Sequence, residues 1–188
     1  MILDIFKIGI YHKELSVDTK KLTDYCLQYS YNVISRTVSN NGGYQSPDIP
    51  LNDTSLSPLF SEILQEANIY ANSILLKEQQ LDNAWLNINS YKDNNISHAH
   101  PGCTLSGVFY VNTPKDCGNI VFERPNMVEI ENTLNGLKSF NEYTSAQWTL
   151  PAKENFLYIF PSFLRHRVES NMNENLKRIS ISFNTQNI

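Results

Sequence analysis

Residues 178–184 read RISISFN, an unbroken alternation of polar and apolar side chains. Successive side chains of a β-strand point to opposite faces, so this pattern predicts a strand with one apolar and one polar face. The polar face is formed by Arg178, Ser180, Ser182 and Asn184. Such a face lies either in water or around an internal site, and the alternation alone leaves both open.

Weaker strand patterns precede this segment and are separated by Pro and Gly punctuation. They cover residues 83–91, 104–112, 119–123 and 156–160. Two amphipathic helices are predicted in the first half of the chain, over 16–30 and from the Ser57-Pro58 cap to Leu75. Short strands after leading helices predict a mainly β protein, an antiparallel sandwich or jelly roll backed by N-terminal helices.

The chain shows no internal repeat and no low-complexity linker, so we expect one domain over residues 1–188. Residues 39–43 have turn chemistry and lead into an expected surface loop over 45–48. Residues 126–147 are polar and loosely periodic, which predicts a long insertion between strands. Because long loops often carry function, this insertion is a candidate for substrate contact.

Charge and composition exclude several classes of function. The formal net charge is -4 and the isoelectric point is near 5.5, which disfavours nucleic acid or an anionic membrane as a partner. The N-terminus lacks a signal-peptide pattern, and no apolar run is long enough to span a membrane, so a soluble cytoplasmic protein is expected. The three cysteines are widely spaced, which fits reduced thiols.

Three of the four histidines lie in the strand-rich half of the chain. His98 and His100 are two residues apart, so in extended backbone they can offer imidazole nitrogens to one ion. His166 follows the strand over 156–160 and can supply a third ligand. Three ligands on one side of an octahedral ion leave positions open for a co-substrate and dioxygen, the arrangement that Fe(II) oxygen chemistry needs.

Arg178 lies 12 residues after His166 (178 − 166 = 12), with Ser180 on the same strand face. An arginine in such a place is suited to a bidentate grip on a carboxylate, and the serine adds a hydroxyl donor.

With these residues the sequence resembles the 2-oxoglutarate and Fe(II) dependent oxygenases, whose signature is HxD/E, a distant His and, about ten residues on, Arg-x-Ser. More narrowly, it resembles a branch of that superfamily found in marine phages and bacteria. The resemblance rests on residues 42–46, 85–89, 98–101, 105–111, 160–162 with His166, and 178–184.

The resemblance implies a double-stranded β-helix, a jelly roll of the cupin-like class. It implies Fe(II) held by His98, His100 and His166, with Arg178 and Ser180 binding the outer carboxylate of 2-oxoglutarate. O2 would be consumed, succinate and CO2 released, and a small-molecule or peptidyl substrate hydroxylated. Tyr110 could donate to the same carboxylate, and Asn87, Asn89 and Tyr91 could line the pocket.

His100 stands where the superfamily has a carboxylate. Glu123 or Asp93 could supply that carboxylate instead, in which case one histidine of the HxH pair would act indirectly. Two other functions also remain open, namely a cupin-type three-histidine metalloenzyme that does not use 2-oxoglutarate and a non-catalytic jelly-roll binding module.

Overall fold

The computed structural model describes residue 3, residues 5–126 and residues 139–188. Two helices and eleven strands are assigned in these ranges. The helices are α1 (Thr19–Asn32) and α2 (Ser57–Ser73). The strands are β1 (Tyr11–Glu14), β2 (Asn40–Asn41), β3 (Tyr44–Gln45), β4 (Gln79–Asn89), β5 (Asn94–His98), β6 (Leu105–Asn112), β7 (Ile120–Glu123), β8 (Gln147–Leu150), β9 (Phe156–Pro161), β10 (His166–Val168) and β11 (Arg178–Asn187).

The strands form two antiparallel sheets. The larger has the order β1-β9-β6-β11-β4-β3, and the smaller has the order β2-β5-β10-β7-β8. The alternating segment over residues 178–184 lies in β11, which pairs with both β4 and β6 at the centre of the larger sheet. The predicted jelly roll backed by N-terminal helices is therefore confirmed.

Both helices were predicted, with small differences at their ends. Helix α1 begins at Thr19 because Asp18 is its N-cap, where the Asp18 side chain accepts a hydrogen bond from the Lys21 backbone N–H. Helix α2 begins at Ser57, with Leu56 at the N-cap position and Pro58 in the first turn. The apolar sides of the two helices pack on the larger sheet through residues such as Cys26 and Ile63.

The alternation along β11 divides its side chains between two interiors. Ile179, Ile181 and Phe183 join the helix-facing core. Arg178, Ser180 and Ser182 point the other way, into a cavity enclosed by the two sheets. The polar face of this strand therefore lines an internal site and does not face bulk water.

Six short strands were missed by the sequence analysis, namely β1, β2, β3, β5, β8 and β10. In the predicted turn, the chain crosses from the smaller sheet to the larger sheet between β2 and β3. The crossing uses Gly42 and Gly43 at φ 74° and 65°. A Cβ on Gly42 would clash with the Asp93 carboxylate. Most of the predicted insertion over 126–147 lies outside the described residues.

None of the helices described here has the length and apolar character needed to cross a membrane.

Candidate metal centre

Three histidines meet at one end of the cavity between the sheets. His98 ends β5, His166 begins β10, and the two are direct register partners. His100 lies two residues beyond β5, where its backbone N–H donates to the Ser162 carbonyl at 2.9 Å. One ring nitrogen from each histidine lies within 4.8 Å of those of the other two. The structure thus brings together the three residues that the sequence singled out.

Hydrogen bonds orient two of the imidazoles. The Nδ1 atom of His98 lies 2.7 Å from the Ile96 carbonyl oxygen, and that of His166 lies 2.9 Å from the Leu164 carbonyl oxygen. A carbonyl only accepts, so Nδ1 carries the proton in both rings and Nε2 keeps its lone pair. The Nε2 atom of His100 is buried and has no hydrogen-bond partner among the described residues.

Burial keeps these histidines neutral. Burial first, and then the neighbouring His98, lower the pKa of His166 to about 3. The pKa of His100 falls to about 4, again chiefly through burial and then through His98. Burial also lowers the pKa of His98. Neutral imidazoles have the lone pairs that a metal ion requires.

The donor set fits a transition-metal ion such as iron. Imidazole nitrogen is a good ligand for Fe, Zn, Cu and Ni, and a buried nitrogen without a partner is costly unless something binds it. Within the described ranges, these three histidines are the one group of three or more His, Cys, Asp or Glu side chains able to hold an ion.

The two alternative carboxylates have other partners. Glu123 forms an ion pair with Arg165 at 3.6 Å, and the Asp93 carboxylate accepts the Ser90 backbone N–H at 2.7 Å. Neither belongs to the histidine group. The geometry therefore favours His100 over both as the third candidate ligand.

The opposite end of the cavity carries unpaired hydrogen-bond donors. Arg178 is 1% exposed, and its NH1 group donates to the backbone carbonyls of Cys117 and Glu169. Its NH2 group and the Tyr110 hydroxyl have no partner in the described part of the chain. NH1 is therefore already engaged, whereas NH2 remains available to a ligand, as does the Tyr110 hydroxyl.

Other predicted residues are distributed around this cavity. Ser180 and Asn87 line it, and the Asn87 amide donates to the Ser182 hydroxyl at 3.1 Å while its own oxygen stays unpaired. Asn89 is buried but outside the lining, and Tyr91 is 38% exposed, so pocket contact by Tyr91 was a wrong prediction.

Two polar residues of the cavity wall, Ser39 and Asn95, were not predicted from the sequence; the Asn95 amide donates to the Ser39 hydroxyl at 3.2 Å. The only available signal was the run of turn residues before Gly42, which does not reveal a pairing across 56 positions. Trp85 also lines the cavity and stacks on His100 with ring centroids 5.5 Å apart.

The chain is similar to known proteins in sequence and in fold. Residues 83–184 match the model of the family described as "Putative 2OG-Fe(II) oxygenase". A search of curated proteins found no match.

Many solved structures share the fold. The epimerase SnoN from nogalamycin biosynthesis, described as non-heme and alpha-ketoglutarate dependent, superposes with a TM-score of 0.72 at 13% identity, covering 96% of this chain and 77% of SnoN. A prolyl-4-hydroxylase from Pseudomonas putida gives 0.68 at 13% identity, covering 96% and 94%. HygX from Streptomyces hygroscopicus, crystallised with nickel and 2-oxoglutarate, gives 0.61 at 9% identity, covering 96% and 83%.

Proposed function

The chain belongs to the 2-oxoglutarate and Fe(II) dependent oxygenase family, and on that premise we propose that His98, His100 and His166 hold the iron while Arg178 binds the far carboxylate of 2-oxoglutarate. The family uses Fe(II), 2-oxoglutarate and O2. Ser180, Tyr110 and Asn87 complete the proposed co-substrate pocket.

One observation carries this proposal. A single cavity has unpaired, buried polar atoms at both ends, the Nε2 of His100 at one and the Arg178 NH2 with the Tyr110 hydroxyl at the other. Each such atom costs about 1–3 kcal/mol if nothing binds it. A metal ion at the first end and a carboxylate at the second satisfy all three, and 2-oxoglutarate is an anion that can contact both.

The residues around the proposed iron site have two roles, which are to bind the co-substrate and to shield the metal ligands. When bound, Fe(II) supplies the redox chemistry that activates O2. Arg178 and Tyr110 donate hydrogen bonds to the outer carboxylate, where the arginine charge also offsets the cost of burying an anion. Phe160 and Phe122 pack around His166 at centroid distances of 4.7 and 6.0 Å, which helps to keep water from that ring.

The three histidine ligands give the site a distinct charge. Replacing the usual carboxylate by neutral imidazole leaves the metal centre one unit more positive. This charge strengthens the attraction for the 2-oxoglutarate dianion. It also predicts a different ease of oxidising Fe(II) from that in a two-histidine, one-carboxylate site.

The substrate class stays broad in this proposal. Small molecules and peptides are the substrates that the family suggests, with hydroxylation accompanied by release of succinate and CO2. We also keep as proposals the single domain over residues 1–188, the cytoplasmic location and the narrower kinship with the branch found in marine phages and bacteria.

The test compares metal-dependent binding of 2-oxoglutarate in four proteins. With Mn(II) as the metal, 2-oxoglutarate at 100 times its Kd should raise the stability of the wild type by about 2.7 kcal/mol. Arg178→Ala should lose much of this gain, and His166→Ala should lose all of it together with the metal. Lys177→Ala removes the neighbouring, exposed cation and should behave as wild type.

Succinate release with Fe(II) under air completes the test. Wild type and Lys177→Ala should release succinate, and the other two variants should not. Equal release from all four proteins would overturn the proposal. A wild type that binds Mn(II) but gains no stability from 2-oxoglutarate would instead support the metalloenzyme that does not use this co-substrate.

A further inference from the structure

The three candidate ligands differ in the contacts that fix the plane of the imidazole ring. In His98 and His166, Nδ1 lies 2.7 and 2.9 Å from a backbone carbonyl oxygen, respectively. The ring of His100 lies against an aromatic face, because Trp85 stacks on it with ring centroids 5.5 Å apart and an interplanar angle of 25°. Of the three candidate ligands, His100 is the one on which this indole stacks.

Trp85 contacts His100 from the opposite sheet. It lies in β4 of the larger sheet, whereas His100 follows β5 of the smaller sheet, and both residues line the cavity between the sheets. The indole side of this contact is held in place, since Trp85 is 7% exposed and its strand pairs with β11, where Ser182 is its register partner. An indole packed in this way has little rotamer freedom, so it gives the imidazole a fixed surface.

Such a surface affects metal binding in two ways. The lone pair of an imidazole nitrogen lies in the plane of the ring, so a contact that fixes the plane also directs the lone pair. A metal ion withdraws electron density from the imidazole that it binds, and the positive charge that results is attracted to the electron-rich face of an indole. The atom that gains is Nε2 of His100, which is buried and has no hydrogen-bond partner among the described residues.

We propose that Trp85 is a positioning residue, which fixes the ring plane of His100 and stabilises this imidazole when it binds a metal ion. This inference rests on the proposed function and assigns a role to a residue that the metal and co-substrate proposals do not use. A carboxylate has no ring face, so the effect depends on histidine as the third ligand. Stacked aromatic pairs contribute enough to change an affinity about 2–10-fold.

The test measures Co(II) affinity and the visible absorption of bound Co(II), which reports on its ligands, and it needs no turnover. Trp85→Leu removes the ring face, so Co(II) affinity should fall about 2–10-fold and the spectrum should shift. Trp85→Phe keeps an aromatic face and should recover most of the affinity. Phe183→Leu is the matched control and should bind as wild type does, because Phe183 is 0% exposed in the helix-facing core and pairs with Ala84, next to Trp85.

A second background separates stacking from general support of the cavity wall. His100→Asp replaces the imidazole by a carboxylate, which can bind a metal ion together with His98 and His166 but offers no ring. In that background Trp85→Leu should leave Co(II) affinity unchanged. A loss as large as that in the wild-type background would show that the indole supports only the cavity wall, and it would overturn the inference.

The outcomes separate the two proposals. If the wild type fails to bind Co(II), both the proposed function and this inference are wrong. If the wild type binds, but Trp85→Leu has the same affinity and spectrum, only the role of Trp85 is wrong. Should His100→Asp bind no Co(II), the comparison of Trp85→Leu with Trp85→Phe decides, since equal losses in both would overturn the inference.

Fluorescence decides if Trp85→Leu fails to fold. The chain has two tryptophans, and Trp148 is 47% exposed, so Trp148→Phe leaves Trp85 as the single reporter. Paramagnetic Co(II) bound to the stacked imidazole should quench the Trp85 emission strongly. Emission unchanged at saturating Co(II) would mean that the indole does not stack on a metal ligand, and the inference would be wrong.

Discussion

The larger sheet separates two interiors of opposite character, although the same three strands line both. On the helix-facing side, β4, β6 and β11 contribute apolar residues, namely Ala84, Leu86, Ile88, Leu105, Phe109, Val111, Ile179, Ile181 and Phe183. On the side facing the smaller sheet, they contribute mainly polar or aromatic residues, namely Trp85, Asn87, Tyr110, Arg178, Ser180 and Ser182, together with the aliphatic Val108.

The two interiors also differ in the number of polar atoms that they leave unpaired. The sheet-to-sheet cavity contains four buried side-chain atoms without partners in the described residues, on Asn87, His100, Tyr110 and Arg178. Such atoms lower the stability of the fold unless a ligand binds them. The helix-facing core should therefore supply stability, and the cavity should supply binding at some cost in stability.

The largest expected difference between the two interiors is in their response to low pH. The three cavity histidines have lowered folded-state pKa values, near 3 for His166 and near 4 for His100. An unfolded chain therefore binds more protons than the native chain as the pH falls below the ordinary value of about 6.5. In the presence of a metal chelator, the free energy of unfolding should be highest above pH 6.5 and should fall steadily toward pH 4.

Urea denaturation across this pH range measures the effect, and His166→Leu gives the control. Removing one titrating group should flatten the pH dependence. A variant with the wild-type slope would show that the acid sensitivity arises outside the cavity.

The second largest expected effect is a loss of stability caused by a substitution in the helix-facing core. Phe109 is 0% exposed, so Phe109→Ala should lower the free energy of unfolding by about 3–5 kcal/mol, as loss of a buried phenylalanine does. At a temperature where the variant stays folded, its Co(II) affinity should match that of the wild type. Loss of metal binding in the folded variant would mean that the two interiors are not independent.

A smaller effect is expected at the donor end of the cavity. Arg178→Met should weaken 2-oxoglutarate binding by about 1.5–3 kcal/mol, the contribution of a hydrogen bond to a charged group, with Co(II) affinity unchanged. Titration of the metal-free protein with Co(II), followed by titration of the Co(II)-loaded protein with 2-oxoglutarate, measures the two affinities. Wild-type affinity for 2-oxoglutarate in this variant would remove Arg178 from the site.

The smallest effect has opposite signs for stability and for binding. Tyr110→Phe removes a buried hydroxyl that has no partner in the described residues, so the protein without ligand should be as stable as the wild type or slightly more stable. Binding of 2-oxoglutarate should weaken by about 1 kcal/mol. Thermal melting with and without 2-oxoglutarate gives both signs, and a loss of stability in both conditions would place the hydroxyl in a structural network.

The sequence predicted the parts of the molecule that depend on local periodicity. The central strand β11, its neighbour β6 and both helices follow from the spacing of apolar residues. Strands such as β2 and β3 were missed because two residues carry no period. Their pairing depends on partners in β5 and β4 that are distant in sequence.

The site was predictable where residue type alone indicates chemistry. Three histidines and an arginine are informative without coordinates. The commitment of the Arg178 NH1 group to carbonyls at 117 and 169 depends on distances between segments that no spacing rule contains.

The two carbonyls that hold NH1 of Arg178 also affect the entropy of ligand binding. A free arginine loses about 2 kcal/mol of rotamer freedom when a ligand immobilises it. Here the Cys117 and Glu169 carbonyls fix the guanidinium as the chain folds. The cost of ordering the side chain is therefore part of the free energy of folding and not of binding. A carboxylate then meets a donor that is already in place, so more of the interaction energy contributes to affinity.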